Sequence, residues 1–205
     1  MDRKAIEKAL VRLHAMARAI GDMASVSSPL EFSSDWYVFI TAANGVYEVL
    51  KAGVAGDAPA EAWFRSVVEQ VEADELLKYM YEARNDEEHG LVRSVVNQTE
   101  SVGVIVPANV GDFDVECQIT MGEDGVATIS EWKSSLPAGV AEYLVKDEMI
   151  LAPVSAKARK RMTPKQYDPP SFHNGSPLSG RSPLQAARLT YTYLRQVVSQ
   201  AELLG

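Results

Sequence analysis

The sequence predicts a mixed α+β protein, a helical bundle of four or five helices that carries an inserted antiparallel sheet of three or four strands. Over residues 1–95, apolar residues recur at helical spacing between helix start and stop signals. Residues 96–154 are instead rich in β-branched and aromatic residues, which is typical of strands. With 205 residues, 46% of them hydrophobic, the chain can bury a substantial core. The predicted organisation is a helical bundle over 1–95, a sheet insertion over 96–154, a proline- and glycine-rich basic loop over 155–181, and a C-terminal helix over 182–205.

The first two helices are predicted from apolar spacing and capping residues. The first should cover residues 3–24, and its apolar face consists of Ile6, Leu10, Leu13, Ala17 and Ile20. The second should begin near Ser33 or Ser34, either of which can cap its first amides, and end near Gly53. Because this second helix is apolar nearly all round, we expect it at the centre of the bundle.

The third helix has a clear start, because Asp57 provides a capping acceptor and Pro59 follows close to the first turn. Its predicted apolar face is Ala60, Trp63, Phe64, Val67, Val68 and Val71. At Asp74 the pattern predicts either a kink or the cap of a fourth helix. That segment runs over residues 75–89 and is ended by Gly90, with Leu76, Leu77, Met80 and Tyr81 pointing inward.

Four strands are predicted over 102–106, 113–121, 126–132 and 143–154, two of them flanking a glycine-rich turn. They are interpreted as an antiparallel meander, with Val115, Cys117, Ile119 and Met121 on one face. Cys117 on that face is expected to be a small core residue. As the only cysteine, it also excludes an internal disulfide and a thiolate zinc site.

The last helix has the strongest start signal in the chain. Ser182 offers a capping hydroxyl, Pro183 suits the first helical position, and Gln185 is placed to reach back to the cap amide. Its expected apolar stripe is Leu184, Ala187, Tyr191, Leu194 and Val198. Because the N-terminal helices offer large apolar faces, we expect this helix to pack on them.

The net charge of −8 divides unevenly along the chain. Residues 1–148 hold 26 acids and 12 bases, whereas 149–205 hold 2 acids and 8 bases. Such asymmetry indicates either a basic nucleic-acid-binding segment or parts that pack against each other or against a second copy. The most apolar window, residues 36–50, is too short and too polar to span a bilayer, and the N-terminus does not resemble a secretion signal. We therefore expect a cytoplasmic protein with no membrane partner.

The end of the fourth helix carries the sharpest functional pattern, Arg84-Asn85-Asp86-Glu87-Glu88-His89. It resembles the Arg-x(4–6)-His signature of the HEPN superfamily (higher eukaryotes and prokaryotes nucleotide-binding), in which asparagine or aspartate commonly follows the arginine. The resemblance covers at most residues 1–95. It implies a metal-independent endoribonuclease that pairs the motif across a homodimer and needs no cofactor.

These residue types fit RNA cleavage, because RNA carries its own nucleophile in the 2′-hydroxyl. Catalysis then needs a group that exchanges a proton near neutral pH, His89, and a cation that stabilises charge on phosphate, Arg84, with Asn85 orienting one of them. Residues five apart in a regular helix point about 140° from each other, so a helix break or a dimer would have to bring them together. The residues expected to bind RNA are those of the basic run Lys157, Arg159, Lys160 and Arg161, which would offset the acids at 86–88.

Other interpretations of the same residues remain open. Structurally, Arg84 would pair with nearby acids, and His89 would sit favourably at the negative end of the helix dipole. Glu82, Asp86 and His89 share one helical face as a mononuclear metal site would require, but no second acid-x-x-His exists for a di-iron site and no metal is expected. The loop around His173 is either a rigid crossing or a means of bringing His173 beside His89. The alternative function is a non-enzymatic, homo-oligomeric protein-binding module.

Overall fold

The computed structural model of the protein describes residues 1–26, 28–89, 93–107, 110–123, 125–137, 140–156 and 165–205. Over these ranges the chain has the predicted α+β fold, with a bundle of five helices and inserted strands that form small antiparallel sheets. The helices are α1 (Arg3–Ser25), α2 (Pro29–Gly53), α3 (Ala58–Ala73), α4 (Glu75–His89) and α5 (Pro183–Glu202). The strands are β1 (Val95–Ile105), β2 (Val115–Met121), β3 (Ala127–Ser134), β4 (Glu142–Leu151), β5 (Val154–Ala156), β6 (Lys165–Tyr167), β7 (Phe172–His173) and β8 (Ser176–Pro177).

The chain divides into two compact units. The first comprises Met1–Val95 and Leu151–Gly205, and the second comprises Val96–Ile150. The first unit therefore contains all five of these helices together with the short strands β5–β8. No helix in the part of the chain given above is both long and apolar enough to cross a membrane.

Helix α2 is the centre of the bundle, as predicted, and it contacts the other four helices named above. Its most deeply buried large residues are Trp36, Phe39, Ile40, Val46 and Leu50. The predicted start at Ser33 or Ser34 is wrong. Ser28 is the cap, its Oγ accepting the Glu31 amide at 3.4 Å, and Pro29 takes the first turn, where its missing N–H is not needed. Ser33 lies inside the helix and donates its hydroxyl to the Pro29 carbonyl at 2.8 Å.

The buried face of α1 is rotated from the predicted one. Leu10 is 44% exposed and Ala17 is exposed, so neither belongs to the core. The buried residues are Ala5, Ile6, Ala9, Leu13, Met16, Ala19 and Met23. Three of these residues are alanines, which allow α1 to pack closely against α2. At Gly53 of α2, an added Cβ would lie only 2.3 Å from the Ala5 Cβ. The buried face of α3 also differs from the predicted one. Val68 is 44% exposed, whereas Phe64, Val67 and Val71 are buried.

Helix α5 begins as predicted, with the Ser182 hydroxyl accepting the Gln185 amide at 3.3 Å and Pro183 in the first turn. It packs on α1, α2 and α4, as expected from the apolar faces of these helices. The stripe is offset from the predicted one, since Leu184 and Tyr191 are only half-buried. Its buried members are Pro183, Ala186, Ala187, Thr190, Tyr193, Leu194, Val197, Val198 and Ala201.

In the second unit, the strands do not pair as a simple meander. β1 pairs with β4, and β2 pairs antiparallel with β3, with Ile119 opposite Ile129 and an irregularity between Glu116 and Gln118. The expectation of a buried face on β2 is wrong: Ile119 and Met121 are 47% and 56% exposed, and Cys117 is half-exposed. A two-stranded ribbon has no second layer of its own to cover one face.

The segment predicted as a loop over 155–181 contains two short antiparallel pairs, β5 with β6 and β7 with β8. Asn174 and Gly175 make the tight turn between β7 and β8, both with positive φ, 49° and 72°, as this kind of hairpin turn requires. The predicted RNA-binding residues Lys157, Arg159, Lys160 and Arg161 lie outside the described residues.

Candidate functional site on helix α4

Two carboxylates in the C-terminal half of α4, those of Asp86 and Glu87, are turned into the fold. Asp86 is 6% exposed, and its Oδ2 accepts the Ser155 amide at 2.9 Å. Glu87 Oε1 accepts both the amide and the hydroxyl of Ser94, at 2.8 and 2.7 Å. These two acids therefore dock the segments around residues 94 and 155 onto the helix, a role that the acidic composition of this stretch did not reveal.

Ser94 is the centre of a buried hydrogen-bond network. Its Oγ accepts the indole N–H of Trp36 at 2.8 Å, and its carbonyl accepts the Ala152 amide at 2.9 Å. The Tyr79 hydroxyl lies 2.6 Å from the Ala152 carbonyl and 3.2 Å from that of Ser94. Burial, reinforced by the charges of Glu87 and Asp86, raises the pKa of Tyr79, so its hydroxyl stays protonated and able to donate.

The metal interpretation of the α4 face finds no support in these contacts. Glu82 is 7% exposed and has protein partners, the Lys78 ammonium at 3.6 Å and the Asn85 amide at 3.4 Å. Asp86 is engaged by the Ser155 amide. Where side chains are described, no three acids, histidines or cysteines lie together as a metal site would require. The side chain of His89, the third predicted ligand, is outside the described part.

Arg84 differs from its acidic neighbours because its charge is poorly matched. Its Nη2 lies 3.5 Å from Glu88 Oε1, and its Nη1 lies 3.4 Å from Asn85 Oδ1, both at long range for charge-assisted bonds. Its Nε is buried and has no hydrogen-bond partner among the described residues. The structural interpretation in which Arg84 pairs with nearby acids thus accounts for one end of the guanidinium only.

The side chain of Arg84 lines an open groove of about 470 Å³ that also involves α1 and α2. Arg12 reaches the same groove from α1, and Thr41 and Asn44 reach it from α2. The sequence reasoning missed these three residues. The available signal was Gly45, a glycine inside an otherwise apolar helix, because a Cβ there would lie only 2.6 Å from Arg12 Nε.

The backbone of α4 runs unbroken from Glu75 to His89. Asn85 bridges two residues of this helix, donating to Glu82 Oε2 and accepting from Arg84 Nη1, both at 3.4 Å. His89 is the last residue of the helix. A helix break between Arg84 and His89, one of the two arrangements considered from the sequence, is therefore absent from this segment.

His173 lies at the opposite end of α4. Its Nδ1 is 3.0 Å from Asp74 Oδ1, and its ring is almost fully buried. Asp74 and His89 are 15 residues apart in or beside this helix, which at 1.5 Å per residue separates their backbones by roughly 22 Å. The suggestion that the loop brings His173 beside His89 is wrong; the loop instead secures the start of α4.

Asp74 accepts several hydrogen bonds at once, from the Leu77 amide at 3.0 Å, the Asn174 amide at 2.8 Å and His173. Burial raises the pKa of the Asp74 carboxyl, but the two amides and His173 outweigh it and hold the pKa below its ordinary value. Nearby, burial and the charge of Asp74 raise the pKa of Tyr193 to about 12. This end of α4 is a satisfied structural clamp.

No family model, no curated protein and no solved structure matches this chain. Arg84 combines two features: its guanidinium lines an open groove, and its buried Nε has no hydrogen-bond partner among the described residues. Such a group binds acceptor-rich ligands, of which phosphate and carboxylate are the common biological examples.

Proposed function

We propose that this protein is a HEPN-like, metal-independent endoribonuclease. Arg84 binds the scissile phosphate and stabilises its developing charge, Asn85 orients Arg84, and His89 exchanges the proton with the 2′-hydroxyl or the leaving oxygen. The observation that carries the proposal is the Nε of Arg84, buried without an acceptor at the wall of an open groove. A phosphate in this groove is the kind of anion that the Arg84 guanidinium binds.

Two of the acids that surround Arg84 in the sequence have hydrogen-bond partners elsewhere. Asp86 and Glu87 are engaged by the amides of Ser155 and Ser94, which leaves Glu88 as the carboxylate beside Arg84. Glu88 is also held by the Tyr37 hydroxyl at 3.2 Å. Its ion pair with Arg84 is long and partly exposed. Little stabilisation is therefore lost when an RNA phosphate replaces Glu88 as the partner of Arg84.

The proposal includes a homodimer. Positions 84 and 89 of an unbroken helix are turned about 140° from each other, so one chain does not direct both at a single phosphate. In a symmetric dimer, Arg84 of one copy and His89 of the other can share one site, as the resemblance to HEPN proteins implies.

The test is RNA cleavage by the purified protein. Total RNA and transfer RNA are incubated with and without EDTA, beside Arg84→Ala, His89→Ala and the control Arg65→Ala, which removes an exposed arginine of α3. We expect cleavage that survives chelation, persists in the control and disappears in both active-site variants. Cleavage that both variants retain would refute the proposal, and cleavage lost with EDTA would indicate a metal-dependent activity instead.

Mixing the two inactive variants tests the shared site. If subunits exchange, a heterodimer of Arg84→Ala and His89→Ala contains one intact composite site, so an equal mixture should regain roughly a quarter of the wild-type activity. No recovery, in a mixture shown to contain heterodimers, would exclude a site made from two chains.

The second candidate is a non-enzymatic, homo-oligomeric protein-binding module. It is favoured by the large apolar side chains that the second unit leaves at least one-third exposed: Val102, Val104, Ile105, Ile119 and Met121. Exposed apolar surface of this kind marks interaction sites when it is contiguous. If RNA is not cleaved, and Ile105→Lys or Ile119→Lys abolishes self-association measured by light scattering, this candidate replaces the first.

A further inference from the structure

We propose that the groove beside Arg84 is a binding subsite for an RNA backbone phosphodiester, and that Arg12, Thr41 and Asn44 complete it. The nature of the ligand rests on the proposed ribonuclease function. The subsite lies on the helical unit and uses residues of α1 and α2, which are distinct from the basic run at 157–161 that the sequence suggested for RNA binding.

Two arginines from different helices converge on one groove. Arg12 comes from α1 and Arg84 from α4, and both line the space above α2. Gly45 permits this arrangement, because an added Cβ would lie 2.6 Å from Nε and 2.9 Å from Cδ of Arg12. The only hydrogen bond of the Arg12 side chain among the described residues is from Nη1 to the Lys8 carbonyl at 3.1 Å, and no described carboxylate forms an ion pair with it. Most of its donors therefore remain available.

Two residues of this groove each have a buried polar atom that lacks a partner among the described residues. Arg84 Nε and Thr41 Oγ1 are both buried without a hydrogen bond within the described ranges, and both residues line this groove. Buried hydrogen-bonding atoms nearly always have partners in proteins, so two unpaired atoms on residues of one groove indicate a bound ligand or water. Because Nε–H can only donate, that ligand must present an acceptor. The non-bridging oxygens of a phosphate are acceptors of the kind that a guanidinium and a threonine hydroxyl bind.

The groove has both positive and negative side chains around it. Glu48 lines the groove together with the two arginines, and Glu88 lies beside Arg84. With two arginines and two carboxylates, this groove suits the single negative charge of a phosphodiester better than the double charge of a phosphate monoester or free phosphate. The carboxylates repel a doubly charged anion more strongly. A backbone phosphate of a polynucleotide therefore fits better than free inorganic phosphate.

Binding is separated from cleavage by using a fluorescein-labelled, single-stranded RNA with 2′-O-methyl sugars, which lacks the nucleophile. Fluorescence anisotropy at low salt gives Kd for the wild type, Arg12→Gln, Thr41→Val and Gly45→Ala. The control is Arg18→Gln, an exposed arginine of the same helix as Arg12. We expect Arg12→Gln to weaken binding about tenfold and to reduce the slope of log K against log salt by about one, with no change in the control.

Gly45→Ala makes the sharpest variant because it alters no charge. The new methyl must displace the flexible Arg12 side chain, while alanine favours the helix more than glycine does. We expect weaker RNA binding in a protein that melts no earlier than the wild type. Inorganic phosphate should compete poorly with the RNA.

Three results would overturn the inference: no RNA binding by the wild type, wild-type affinity in both Arg12→Gln and Gly45→Ala, or displacement of RNA by inorganic phosphate at low millimolar concentration. Its failure is distinguishable from that of the proposed function. Cleavage that depends on Arg84 and His89 but not on Arg12 would leave the ribonuclease without this subsite, whereas Arg12-dependent binding without cleavage would leave the subsite without the ribonuclease.

Discussion

The two ends of helix α4 use polar residues in opposite ways. At the start, Asp74 is saturated by hydrogen bonds from Leu77, Asn174 and His173. Toward the end, Arg84 has one ion pair at 3.5 Å and a buried Nε with no partner in the described part of the chain. Saturated groups complete a fold, whereas Arg84 lines a groove with donors that the described residues leave unused. The contrast predicts that substitutions at the two ends damage different properties.

The largest expected effect is on activity, at the Arg84 end. Arg84→Ala should lower kcat/KM for RNA cleavage by about 10²–10³, the usual loss when one donor to a developing oxyanion is removed. Its free energy of unfolding, from urea denaturation, should change by less than about 1 kcal/mol, because the Glu88 ion pair is long and partly exposed. If Arg84→Ala lost activity only because it unfolds, the two ends of α4 would not differ in the way described.

The next effect is on stability, at the Asp74 end. Asp74→Ala removes the cap of α4 and the partner of His173 together, which should cost about 2–3 kcal/mol of unfolding free energy. Asp74→Asn retains an acceptor for one amide and should cost less. Urea denaturation measures both, and an Asp74→Ala protein as stable as the wild type would show that this end is not a structural clamp.

A smaller loss of stability is expected within the Ser94 network. Tyr79→Phe leaves the Ala152 carbonyl without its hydroxyl donor and should cost about 1–2 kcal/mol. The matched control is Tyr81→Phe, two residues further along the same helix, where the side chain is 39% exposed and the cost should be close to zero. Equal stabilities for the two variants would mean that the network does not hold the segment around residue 152.

The smallest effect concerns the acid dependence of stability. The pKa of Asp74 is lowered in the folded protein, so its ionised form contributes stability above the unfolded pKa of about 4 and loses it as the pH falls through the lower folded value. The Tm of the wild type should therefore fall more steeply below pH 4 than that of Asp74→Asn. Parallel melting curves against pH would indicate that this carboxyl does not favour its charged form on folding.

The helices were largely predictable from the sequence because their signals are local. Asp57, Asp74 and Ser182 each cap the helix that follows, as their positions suggested. The start of α2 was predicted too late, because Ser33 and Ser34 are also good caps and only the chain path selects Ser28. Strand pairing was less predictable, because β1 pairs with β4 although β2 is nearer in the sequence.

The candidate site was predictable only in part. The motif itself supplied Arg84, and a local pattern was enough to find it. Arg12, Thr41 and Asn44 come from two other helices, and no spacing rule connects them with Arg84. The direction of Asp86 and Glu87 was equally hidden, because a run of acids has the same appearance whether it faces solvent or caps backbone amides inside the fold.

The α+β class, the order of the helices, most of their capped ends and the central position of α2 follow from local patterns, because apolar periodicity and capping act over a few residues. The buried face of α1, the pairing of the strands, the contact of His173 with the start of α4 and the groove shared by two arginines emerge only from the folded structure. These depend on contacts between segments distant in sequence, such as the Arg12 side chain over Gly45, and a local pattern does not say which segment will approach.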